Sequence, residues 1–95
     1  MKNVKIPKQW FVLASKAYSA MQDKDEVLMK EHLMAIQWRI RTNQDENTKE
    51  MYEVDNQAWC QVLNSSYAIQ AGDVDSSISA LEKANKLTSL TLQKD

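Results

Sequence analysis

Ninety-five residues with 43% hydrophobic and 26% charged content describe one modest packed domain, and they suggest neither a disordered nor a membrane class. One Gly and one Pro in the whole chain argue against a sheet protein, which uses such residues at every hairpin, and point to helices with few connections. The net charge of −1 hides an asymmetry: residues 1–42 hold eight Lys and Arg against four Asp and Glu, a net +4, and residues 43–95 hold four against nine, a net −5.

No apolar run approaches the roughly 20 residues of a membrane span, and MKNVKIPK lacks the apolar stretch of a signal peptide. Cys60, the one cysteine, has no internal partner for a disulfide, so a reducing cytoplasmic setting is expected.

In chain order, residues 1–6 read as a loose lead-in. Pro7 opens a first helix to Gln22, with Trp10, Leu13, Ala14, Ala17, Tyr18 and Met21 on its apolar stripe. The polar break Asp23-Lys24-Asp25-Glu26 turns the chain and supplies a cap. From Val27 to about Thr42, Met29, Leu33, Ile36 and Ile40 form a seam with spacings of 4, 3 and 4, and Arg39 and Arg41 suit the helix C-terminus.

Asn43 to Asn47 carries no apolar residue and reads as a turn between two hairpins. A third helix is expected from about Asn47 to Glu50 onward, with Asn47 or Thr48 as its cap and Glu50, Glu53 and Asp55 in its opening turns. Its stretch Met51–Ala71 places Tyr52, Trp59, Val62, Leu63 and Ile69 on one stripe. Gly72-Asp73 ends it, and a fourth helix carries Ile78, Leu81, Ala84 and Leu87 inward. Residues 88–95 read as a fraying end. The expected fold is all-α: a four-helix bundle of two antiparallel helical hairpins with Trp10 and Trp59 inside, or two extended hairpins that close on dimerisation.

A shift of 49 residues sets Trp10 on Trp59, Tyr18 on Tyr67 and Ala35 on Ala84, an echo between the hairpins. The second hairpin, NSSYAIQAGDVDSSISALEKANKL, resembles one tetratricopeptide unit around its inter-helix turn, with Gly72-Asp73 followed by an amphipathic helix and Ala84 near its end. It departs at Ser77, where that family usually has a small Ala, in the distance of Trp59 from the glycine, and in lacking a closing proline. The resemblance implies a protein-binding surface.

Signals for chemistry are sparse. His32 has no second histidine to share a metal, no HExxH or CxxC pattern exists, and one glycine makes no phosphate loop, so no metal, cofactor or catalytic residue is assigned. The Asp23/Asp25, Asp45/Glu46 and Asp73/Asp75 pairs fall where caps and turns use carboxylates. Trp, Tyr and Met exceed what one small core needs, and these types are enriched at binding surfaces. The function expected is therefore a non-enzymatic protein-binding module, an adaptor, inhibitor or regulatory subunit, with homodimerisation as one arrangement. Its contact residues are Trp38, Met34 and Tyr52, with Glu50, Glu53 and Asp55 steering a basic partner. The competing expectation is a nucleic-acid regulator that uses Lys2, Lys5, Lys8, Arg39 and Arg41.

Overall fold

Residues 3–7 alternate in character, and the computed structural model, which describes residues 2–90, makes them a strand, β1 (Asn3–Pro7). β1 pairs antiparallel with β2 (Met51–Asp55), Val4 opposite Val54 and Ile6 opposite Tyr52. Ile6 and Val54 are buried, while Lys5 and Glu53, also opposite each other, point out. The all-α expectation is thereby corrected: four helices accompany a two-stranded antiparallel sheet.

Two misreadings caused the difference. Residues 3–6 were expected to be loose, and β2 was absorbed into the third helix because Tyr52 and Glu53 also suit a helical period. Five residues hold too few alternations to separate the two periods. In the fold, α3 starts at Asn56 rather than near Asn47, and its cap is Asp55, whose carboxylate accepts the Ala58 N–H at 3.0 Å.

The element order is β1, α1 (Lys8–Gln22), α2 (Glu26–Thr42), β2, α3 (Asn56–Gln70) and α4 (Val74–Leu87). Each half is a strand followed by a helical hairpin, and β1, α1 and α2 start 48 residues before β2, α3 and α4 (51 − 3, 56 − 8, 74 − 26). The repeat register is therefore 48, not the 49 suggested by matching Trp10 with Trp59. Lys5 pairs across the sheet with Glu53, which is also its equivalent 48 residues on, as an approximate two-fold axis between the strands requires. The ladder ends obey the same relation: Lys8 N–H donates to the Glu50 carbonyl, and Asn56 N–H donates to the Lys2 carbonyl, both at 2.9 Å.

The hairpin turns match bond for bond. Lys24 and Gly72 both adopt positive φ, +60° and +86°, and Asp25 and Asp73 each cap the helix that follows. The Asp25 N–H donates to the Ala20 carbonyl and the Asp73 N–H to the Ala68 carbonyl, again both at 2.9 Å.

The core lies under the sheet and between the hairpins, with Ile6, Met29, Leu33, Ile36, Val62, Ile69 and Leu81 almost fully buried. Each such side chain contributes roughly 1.5–3 kcal/mol by leaving water. Trp59 is buried and stacks on half-buried Trp10, with centroids 5.9 Å apart and planes at 11°. Trp10 Nε1 donates to Asp45 Oδ2 at 2.9 Å, and Arg39 donates to the same carboxylate, so the 43–50 connection is anchored to both helices of the first hairpin. Residues 88–90 are not frayed: Thr88 Oγ1 accepts the Asp55 N–H, the Leu90 N–H donates to Asn85 Oδ1, and Leu90 is buried. The expected fraying of 91–95 lies outside the described residues.

Candidate docking surface

α2 and α3 meet through a buried polar contact. Gln37 Nε2 donates to Ser66 Oγ at 2.9 Å, and the Ser66 hydroxyl donates to the Leu63 carbonyl at 2.7 Å. Since that single hydroxyl hydrogen is spent on Leu63, Ser66 accepts from Gln37, and the amide must present nitrogen to Ser66 and oxygen elsewhere. Gln37 Oε1 is then buried with no partner among the described residues, although the residue is only 7% exposed. An orphan acceptor of this kind costs about 1–3 kcal/mol.

Above Gln37 a cleft of about 120 Å³ opens between the helices, lined by Gln37, Ile40, Arg41, Leu63 and Tyr67. Gln37 and Arg41 are one helical turn apart on α2, as Leu63 and Tyr67 are on α3, so each helix lends one edge. Tyr67 is 60% exposed. On α2, Met34, Trp38 and Arg41 fall on one flank by their spacing of four and three, and Trp38 is 58% exposed. The Trp38 carbonyl accepts from Thr42 Oγ1 at 2.8 Å. Arg39 is neutralised by Asp45 at 2.9 Å, whereas Arg41 has no carboxylate partner among the described residues. α3 contains no charged side chain, so Arg41 sets the sign of the cleft.

The six residues expected to contact a partner divide into two sets. Trp38 and half-buried Met34 stand on α2, on the flank that continues from Arg41, and neither is among the residues that line the cleft. Tyr52, Glu53 and Asp55 belong to β2, with Glu50 just before it. Tyr52 is packed on Phe11 with ring centroids 5.1 Å apart, Glu50 pairs with Lys8 at 3.5 Å, Glu53 faces Lys5 across the sheet, and Asp55 is the α3 cap. Of these acids, Glu50 pairs with α1, Glu53 points out from the sheet and Asp55 starts α3; they do not form the expected acidic helical turn.

The basic residues considered for nucleic acid are similarly divided, since Lys8 and Arg39 are ion-paired and Lys5 stands across from a carboxylate. His32 is half-buried, and its pKa is lowered from the usual 6.5 by burial and then by Lys16, with Glu31 opposing. No group of three His, Cys, Asp or Glu side chains is gathered for a metal among the described residues. Cys60 is exposed and free. Asp25 and Asp73 accept the N–H groups of Leu28 and Ser76, the capping use that their positions suggested. The Asp73 pKa is lowered by those Ser76 bonds.

Gln37, Leu63 and Tyr67 are absent from the contact residues chosen from sequence. Gln37 sits inside an apolar seam, where a polar residue is a signal in itself, and α3 is a charge-free helix with a tyrosine off its buried stripe. No helix is long and apolar enough to cross a membrane among the described residues. Comparisons with protein-family models, with curated proteins and with solved structures return no match.

Proposed function

We propose that the protein is a small cytoplasmic protein-binding module, an adaptor, inhibitor or regulatory subunit without catalysis of its own, and that it docks its partner on the α2–α3 face. One observation carries this reading. Tyr67, more than half exposed, lines a cleft between α2 and α3 together with Arg41 and a buried, half-satisfied amide, and Trp38, also more than half exposed, follows on the α2 flank next to Arg41. Exposed aromatics beside a cleft of mixed polar and apolar lining are the usual anchors of protein recognition.

Site-specific photocrosslinking tests the reading. A photoreactive residue in place of Trp38 or Tyr67 is expected to trap one discrete protein in the native cell, and one in place of Glu82 on the outside of α4 is not. Equal adducts from all three positions, or adducts only from the α4 position, would sink the assignment of this face.

A further inference from the structure

Resting on that reading, we infer that the α2–α3 cleft takes an acidic peptide segment of another protein: a carboxylate on Arg41, an adjacent backbone N–H on Gln37 Oε1, and one apolar side chain between Ile40, Leu63 and Tyr67. Three independent features converge on this chemistry. Gln37 Oε1 is an acceptor without a donor, in a residue more than nine-tenths buried, so it selects an N–H and rejects a carbonyl. Arg41 is a cation without a carboxylate among the described residues, one turn along α2 from Gln37. Its planar fork suits bidentate carboxylate recognition. The cleft is small, about 120 Å³, and open to solvent along the helices, which suits one side chain of an extended segment laid across them.

Gln37 Oε1 is covered in the unbound protein, and exposed Tyr67 and Arg41 form the rim above it. Binding requires the side chains at this rim to turn aside and let the donor reach that atom. A basic segment would meet Arg41 as a like charge and offer no carboxylate, so the cleft discriminates by repulsion as well as attraction.

Selection from a random heptapeptide library against the full chain tests the inference, with affinities measured by fluorescence polarisation at low salt. Recovered binders are expected to share an Asp or Glu next to a bulky apolar residue. Arg41→Glu is expected to weaken them at least tenfold, and replacing the peptide acid by Lys is expected to recover binding to that variant. Gln37→Met, which keeps the shape but removes both the acceptor and the Nε2 bond to Ser66, is expected to cost about tenfold, and Ser66→Ala, which removes that bond and leaves the acceptor, is expected to cost less. In the wild type, the Gln37 side-chain NH2 resonances should shift on peptide addition. Should Gln37→Met fail to fold, Arg41→Glu and these resonances still decide the matter.

Basic binders, no binders, or acidic binders indifferent to Arg41→Glu would overturn the inference. If such binders still respond to Trp38→Ala or Tyr67→Ala, the docking face stands and only the acidic-peptide chemistry fails. If they respond to none of these changes, the face fails as well. Self-association of the protein that Arg41→Glu abolishes would instead make a second copy the occupant and overturn the peptide.

Discussion

The two hairpins share a backbone plan and solve the same packing problem with different side chains. In the first, Ala17 on α1 and Met29 on α2 are buried; their equivalents in the second are Ser65 and Ser77, both fully buried. Ser65 Oγ donates to the Ser77 carbonyl at 2.7 Å, Ser77 Oγ donates to the Ser65 carbonyl at 2.9 Å, and the two hydroxyl oxygens lie 2.7 Å apart. Two hydrogens cannot make all three bonds at once: either both hydroxyls donate to carbonyls, or one donates to the other in place of its carbonyl, and in each arrangement both hydrogens are used within the pair. One hairpin is filled by a flexible thioether and the other is drawn close by a polar clasp, which shows that this backbone tolerates either solution when the total volume fits.

Exchanging the solutions breaks the comparison most severely. Ser77→Met forces a long side chain into a site with no room and removes one partner of the clasp, and Met29→Ser leaves a cavity with an unsatisfied hydroxyl. Each is expected to cost about 3 kcal/mol or more, read from the urea midpoint. An unchanged midpoint for Ser77→Met would mean that α3 and α4 are not held at close approach by their small residues.

The turns offer a gentler test. Lys24 carries a side chain at φ +60°, where Gly72 carries none at φ +86°. Lys24→Gly should stabilise by about 0.5 kcal/mol, and Gly72→Lys should cost about 1 kcal/mol. That cost is backbone strain alone, because nothing lies within 4 Å of a Cβ added at Gly72. The measurement is thermal unfolding of both variants, and equal shifts of the same sign would contradict the equivalence of the two turns.

The smallest effects are those of pH. His32 occupies the place that Ala80 holds in the second hairpin, so only the first can titrate there. Its folded-state pKa is depressed below 6.5, so its stabilising contribution is present above 6.5 and is lost as pH falls through the lowered value. Asp73 is also depressed, and its contribution is lost in a separate acid window as pH falls from about 3.8 through its lowered value. In urea midpoints followed against pH, His32→Gln should flatten the first decline and Asp73→Asn the second. A decline near pH 6 that survives His32→Gln would assign it to another group.

Much of this plan is legible in the chain, at particular residues. The α2 seam of Met29, Leu33 and Ile36 is buried as its spacing predicts, and the Asp25 and Asp73 caps mark both hairpin turns. The indoles mislead about the repeat register: matching Trp10 to Trp59 gives 49, whereas α1 and α3 start 48 residues apart, which sets Phe11 on Trp59. Equivalent core positions differ in volume and polarity, Met29 against Ser77 and Ile36 against Ala84, so hydrophobicity conceals the kinship that caps and turns preserve. The cleft was harder still. The approximate two-fold relates α2 on α3 to α4 on α1, yet α4 meets α1 only slightly, and no local pattern foretells which of two equivalent approaches will close.

The meeting of β1 with β2 sets a timetable for the chain as it leaves the ribosome. Ile6 waits for Tyr52, 46 positions later (52 − 6), while each hairpin pairs neighbours joined by a short turn. β1 is thus made well before its partner, and the ribbon locks only after both halves exist. A pause in synthesis before Met51 would leave the first hairpin with an unpaired strand edge, the point at which a growing chain is most open to the wrong neighbour.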